Sequence, residues 1–327
     1  MLRNIQGAGL RHLRTFISLS QPFWGVDPVI SISQTTAAPT RFMKTYRSLL
    51  VILSSSALIL ACMGQGAAAA PNPIRVLLIT GGCCHDYAHQ KDILKKGIIE
   101  RANVVIEQIH TDDTTTHPPL AILGNPDYAK GFDLVIHDEC AAEVSDQAKV
   151  EGVLKPHRDG IPGVNLHCAM HSYRIGNPND SVTPGSPHGL WFEYLGLQSS
   201  GHGPQEPISI SFTDKKSPLT LGLTDWRTIK EEHYNNVHVF DTATPIARGT
   251  QIIDPKASSP HTNDFVVVWV NQYGPKKTRV FSTTIGHNNA TVQDPRYLDL
   301  VTRGVLWATG HLNKDGTPAK GYGPEGK

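Results

Sequence analysis

The chain has 327 residues, 39% hydrophobic and 18% charged, with 30 Lys and Arg against 29 Asp and Glu. That composition excludes a disordered chain and a membrane bundle, and the length suits one α/β domain of roughly 250 residues behind a leader. The first 70 residues hold six basic residues and one acid, Asp27, so the remaining 257 carry 24 basic and 28 acidic residues, a charge of −4 that argues against nonspecific nucleic-acid binding.

Residues 43–47 (MKTYR) are a short basic segment, followed by an apolar run over 48–62 and small residues up to Ala70. This is the pattern of a secretory signal peptide over 43–70, and it predicts export to the periplasm or the extracellular space. The apolar run is shorter than the roughly 18–20 residues of a membrane anchor. Cleavage after Ala70 is one reading. Ile59-Leu60-Ala61-Cys62 also resembles a lipoprotein box, and lipidation of Cys62 is the alternative, the one membrane link expected. Residues 1–42 precede a complete signal and are read as a non-functional upstream extension, with Met1 and Met43 both open as starts. The working domain is expected over 71–312, with a loose Gly- and Pro-rich tail over 313–327.

Continuous apolar runs predict buried parallel strands at 74–80 (IRVLLIT), 103–109 (NVVIEQI), 132–136 (FDLVI) and 162–166 (PGVNL). Helical patterns fill the gaps at 89–101 and 143–157. Alternating strands and helices imply a doubly wound parallel sheet. The second half predicts strands at 208–212, 265–270 and 279–284, then a helix over 294–310 with Asp294 as cap, Pro295 in its first turn and Gly310 as its stop.

Fifteen of the 16 histidines lie beyond residue 70, and five follow predicted strands: His85, His110, His137, His167 and His287. Ligands of open α/β sheets sit outside the carboxyl ends of the strands, and imidazole serves both proton transfer and metal binding there. His167 and His171 are spaced to share a helix face, and Ile229–Tyr234 (IKEEHY) brings two carboxylates close to His233 and Tyr234. Taken blandly, Glu231-Glu232 is a solvated charged turn. Gly81-Gly82 lacks the spacing of a dinucleotide fingerprint, so no nucleotide cofactor is expected. Adjacent Cys83 and Cys84 are not expected to bridge each other, and Cys83 and Cys140 read as small buried hydrophobes. Cys168 falls at a strand-to-helix turn, where a nucleophile elbow would place its attacking atom.

Several of these pieces, in this order, resemble the trehalose-utilisation (ThuA-like) family. They are Gly81-Gly82 with His85-Asp86, FDLVI at 132–136, GVNLHCAMHS at 163–172, Gly201-His202, SPLTLGL at 217–223, Glu231-Glu232-His233-Tyr234, RVFSTTIGH at 279–287 and RGVLWA at 303–308. The resemblance implies a flavodoxin-like sheet of the class I glutamine amidotransferase type and a role in sugar metabolism, beside oxidised (3-keto) sugars. It also implies that Cys168 does not act as an amidotransferase cysteine does. The family's usual aspartate after the last Gly-His is Asn288 here.

The leading expectation is an exported hydrolase, lyase or isomerase acting on a small sugar or glycoside by acid–base or metal-assisted chemistry. His167 and His287 are the expected proton-transfer pair, with Glu232 as their carboxylate. His85, Asp86, His137, His202 and Tyr234 are the expected substrate-binding groups. His85, His171 and His202 are the expected ligands if a divalent metal, zinc or manganese, is bound. Two alternatives stand beside it: a noncatalytic sugar-binding module stacking sugars on Trp191 and Trp226, and a Cys168 amidohydrolase. Self-association into a homo-oligomer is compatible with either.

Overall fold

The computed structural model describes residues 71–326, so the expected leader, its cleavage site and Cys62 lie outside the described residues. The first half runs β1 (Ile74–Gly82), α1 (Tyr87–Ile99), β2 (Val104–His110), β3 (Leu134–Cys140), α2 (Gln147–Arg158) and β4 (Gly163–Leu166). A tight 3-10 turn, His167–His171, leads into α3 (Leu190–Leu195), β5 (Leu197–Gln198), β6 (His202–Phe212), β7 (Trp226–Tyr234) and β8 (His238–Val239). The chain ends through β9 (Ala243–Ile253), β10 (His261–Tyr273), β11 (Thr278–Thr283), α4 (Asn289–Val292) and α5 (Pro295–Ala308).

Nine strands form one sheet in the order β2-β1-β3-β4-β11-β10-β9-β6-β7, and β5 pairs with β8 separately. From β2 to β11 every pairing is parallel. From β11 to β7 every pairing is antiparallel. The expected doubly wound parallel sheet is therefore present, and four antiparallel strands from the Pro- and Gly-rich second half extend it. β1 and β3 are buried almost throughout, which is why their sequences read as unbroken apolar runs.

Helices cover both faces of the parallel half. On one face, Leu94 and Ile98 of α1 meet Leu298, Val301 and Val305 of α5 over Val76 and Leu78. The two helices approach so closely that a Cβ on Gly97 would meet Leu298 Cδ1 at 2.6 Å. On the other face, Val150, Val153 and Leu154 of α2 pack with Trp191 and Phe192 of α3. Helix starts follow side-chain caps: Asp294 accepts from Arg296 N, and Asp146 accepts from Lys149 N. The Asp146 cap starts α2 four residues later than the apolar pattern suggests.

The C-terminal tail is docked rather than loose. Tyr322 stacks on His311 with ring centroids 3.6 Å apart, and its carbonyl accepts Asn103 N at 3.0 Å. No helix among the described residues is long and apolar enough to cross a membrane.

Candidate active site

The carboxyl ends of the parallel strands deliver three imidazoles to one point. His85 follows β1 through Gly81–Cys84, His167 follows β4 directly, and His287 follows β11 after Thr284, Ile285 and Gly286. β7, although last in the sheet order, folds back over these ends. Glu231 Oε2 accepts from His287 N at 3.1 Å, and Asn288 Nδ2 donates to Lys230 O at 2.7 Å. Side chains alternate along a strand, so with Glu231 fastened to the backbone its neighbour Glu232 turns toward the imidazoles.

Glu232 is the centre of the cluster. Its Oε2 lies 3.3 Å from His167 Nε2 and 3.5 Å from His202 Nε2, and its Oε1 lies 3.3 Å from His287 Nδ1. Gln205 Nε2 donates to Glu232 Oε1 at 3.2 Å and lies 2.9 Å from His287 Nε2. One donor atom each from His85, His167, Glu232 and His287 lies within 4.8 Å of the other three. The His85 ring stands edge-on to His167 and His287, with centroids 4.6 and 4.9 Å away. An open cavity of about 570 Å³, lined by Cys84, His85, Asp86 and His287 among others, reaches the cluster from solvent.

Hydrogen bonds assign proton positions. His167 Nδ1 donates to Thr284 O at 2.6 Å, which leaves its Nε2 lone pair aimed at the cluster. His202 Nδ1 donates to Gly203 O at 2.9 Å, freeing its Nε2 in the same way. His85 Nδ1 and His287 Nδ1 are buried without a hydrogen-bond partner, the latter in ion-pair range of Glu232 but off hydrogen-bond alignment. Burial and the neighbouring His167 and His287 hold the His85 pKa down to about 2, so this imidazole is neutral at physiological pH. Burial opposes ionisation of Glu232, but the His167 and His287 imidazoles, each 3.3 Å away, outweigh it and hold the carboxyl below its usual range. The Glu232 carboxylate in turn raises the His287 pKa above its ordinary value.

The elbow belongs to His167. It has φ +41, in the left-handed region that L-residues adopt rarely, at the junction of β4 and the tight turn. Cys168, one residue on, is buried, and the hydrogen bond with Cys140 together with burial pushes its thiol pKa well up. A buried thiol with its pKa pushed up offers little thiolate for attack on an amide arriving from solvent, which weighs against the Cys168 amidohydrolase.

Several expected site residues sit elsewhere. His137 is completely buried inside β3, with Nδ1 2.7 Å from Glu139 Oε1 and Nε2 3.1 Å from His157 Nε2, so no surface remains for a substrate. The reason is strand length: β3 continues to Cys140, four residues past the apolar run, which turns an expected strand-end histidine into a mid-strand one. His171 lies outside the donor group; its Nε2 bonds Ser199 Oγ at 2.9 Å and its ring stacks on Tyr234 at 4.1 Å. His202 touches the cluster through Glu232, and Tyr234 reaches His167 Nε2 with its hydroxyl at 3.4 Å. Asp86 stays at the rim, accepting from Asn289 Nδ2 at 2.7 Å. His110, at the sheet's edge, bonds Thr80 Oγ1 at 2.9 Å and Asp112, away from the cluster. Trp191 is sealed in the core, so it cannot stack on a sugar, whereas Trp226 lines a smaller cavity of about 110 Å³. Gln205 has no signal in the sequence, because the irregular pairing between His202 and Gln205 conceals which face it takes.

The buried imidazoles limit stability in acid. Burial and the adjacent His137 hold His157 down to about 3, and burial holds His233 down to about 4. Below pH 6.5 the unfolded chain gains protons that the folded chain refuses, so stability is full above 6.5 and falls as the pH drops toward 4 and then 3. Each such histidine is expected to cost about 2 kcal/mol between pH 7 and 5. Urea unfolding at those two pH values measures it, and an unchanged midpoint would contradict the assignment.

The strand order β2-β1-β3-β4-β11 with helices on both faces is the flavodoxin-like doubly wound arrangement. Residues 75–308 match the ThuA family, described as trehalose utilisation, and the chain belongs to that family. A ThuA-like protein from Parabacteroides merdae shares the fold at TM-score 0.53 and 18% identity, over 77% of this chain and 96% of that one. A second, from Bacteroides uniformis, aligns at TM-score 0.49 and 16% identity over 78% and 99%. A GMP synthase component from Thermoplasma acidophilum aligns at TM-score 0.44 and 12% identity over 73% and 96%. No curated protein matches the chain.

Proposed function

We propose that the protein is an exported, divalent-metal-dependent enzyme that modifies a small sugar or glycoside, 3-keto sugars included, with His85, His167, Glu232 and His287 holding the metal. The observation that carries this reading is the convergence of four donor atoms within 4.8 Å of one another beneath an open cavity. The fit is chemical as well as spatial. Three imidazoles and one carboxylate are a zinc-type donor set, and the unpartnered Nδ1 of His85 is a buried polar atom that lacks any other role. A bound zinc or manganese ion would polarise a sugar carbonyl or hydroxyl oxygen.

The surrounding residues supply the rest. Thr284 O fixes the tautomer and direction of His167. Gln205 steadies both Glu232 and His287. His202, the most solvent-accessible imidazole at the cluster, offers a free Nε2 to take a proton from a substrate hydroxyl, and the Tyr234 ring stacks beside it at 5.6 Å. Asp86 and Asn289, on the cavity wall, are placed to bond sugar hydroxyls. A second reading is metal-free acid–base catalysis by His167, His287 and Glu232; the depressed Glu232 carboxyl and raised His287 pKa favour it.

Metal analysis separates the two. About one zinc or manganese per chain is expected after purification without chelator, with turnover on a panel of neutral and 3-keto sugars lost on chelation and restored by metal. His167→Ala, folded by circular dichroism, is expected to lose at least about 100-fold in metal affinity. A metal-free protein that still turns over substrate would leave only the acid–base reading, and full turnover by folded His167→Ala would overturn both.

A further inference from the structure

We propose that Cys83, Cys84 and Cys140 form a thiol–disulfide exchange centre that can pass a disulfide from Cys83–Cys84 to Cys83–Cys140. Contrary to the expectation from sequence, the adjacent Cys83 and Cys84 are joined by a disulfide, with Cys84 held at φ +82 in the left-handed region. A free, buried thiol, Cys140, places its Sγ 3.4 Å from Cys83 Sγ. Behind it a second free thiol, Cys168, packs in the same buried cluster as Cys140. On the other side Cys84 is exposed and lines the 570 Å³ cavity. The sulfurs thus run in series from solvent to core, and a thiol in contact with a disulfide sulfur is the geometry that exchange requires.

The step balances internally. The Cys140 thiolate attacks Cys83 Sγ, the Cys83–Cys140 bond forms as the Cys83–Cys84 bond breaks, and the electron pair departs on Cys84 Sγ. Cys84 takes up one proton from solvent in place of the one Cys140 released, and no external oxidant or reductant is consumed. Cys84 is the favoured leaving group because its sulfur is the solvated one. Exchange exposes a reactive thiol at the mouth of the cavity and releases the residue before His85 from its left-handed tether.

Peptide mapping tests this without reference to any activity. The full chain, equilibrated with oxidised glutathione and then desalted, is incubated natively with N-ethylmaleimide, unfolded in acid and digested with trypsin. Peptide 76–91 contains Cys83 and Cys84, and peptide 131–149 contains Cys140. Time-dependent appearance of a 76–91/131–149 crosslink carrying maleimide on Cys84 is expected, and Cys140→Ser should abolish both signals. In Cys84→Ser, oxidised glutathione should drive a Cys83–Cys140 disulfide in most chains. A closed Cys83–Cys84 pair that never yields the crosslink, or free Cys83 and Cys140 in folded Cys84→Ser after oxidation, would overturn the proposal.

Discussion

Glu232→Gln is expected to remove metal binding and turnover together while leaving the fold intact. Glu232 is the sole carboxylate within the donor group, and three imidazoles lean on it at 3.3 to 3.5 Å. Glutamine keeps the shape and one acceptor but removes the charge. It also frees His287 from the field that raises its pKa. Loss of a ligand should weaken zinc binding by at least about 100-fold, and loss of the charge should lower kcat by about 10²–10⁴-fold. Calorimetric zinc titration and steady-state kinetics read the two effects separately. Unchanged zinc affinity with depressed kcat would move Glu232 from ligand to proton-transfer group; unchanged values in both would remove it from the site.

Gly82→Ala is expected to be the most damaging small substitution near the site. Gly82 has φ +96 and pairs with Cys140 in the middle of the parallel sheet, where an added Cβ would collide with the Cys140 carbonyl oxygen. Backbone in a central strand cannot retreat as a flexible side chain can. Left-handed strain and the collision together should cost about 4 kcal/mol, roughly 10 °C in Tm. Gly274→Ala is the control: φ is +65 but nothing lies within 4 Å, so strain alone should cost about 1 kcal/mol. Thermal melts of the two variants suffice, and equal losses would show that the Cys140 contact does not matter.

The parallel half of the fold was legible because burial on both faces leaves an unbroken apolar run, as in β1 and β3. The antiparallel half was less so. β7 reads WRTIKEEHY, charged enough to pass for a turn, because it is an edge strand whose acids are buried only after it folds back over His287. His167, His287 and Glu232 were visible as residues, yet their meeting depends on that fold-back, which leaves no local trace. His137 shows the reverse failure. Hydrophobicity stops before it and suggests a strand end, but hydrogen-bonded pairing carries β3 on through His137, Asp138 and Glu139, and a buried chain of Tyr173, Glu139, His137 and His157 absorbs the polarity. Trp226 and Trp191 could not be told apart by composition, since only packing decides which buried indole borders a cavity.

The division of the sheet has a consequence for how the site is inherited as a unit. The parallel strands contribute every imidazole of the donor group, and the antiparallel strands contribute Glu232, Gln205, Tyr234 and His202. Neither part is a functional module. Separated, one would be a scaffold bearing crowded, uncompensated bases, and the other a set of acceptors with nothing to neutralise. The candidate site is thus a property of the seam, so a change that loosens β7 from the β11–α4 loop would take Glu232 away while every strand-end histidine stayed in its place.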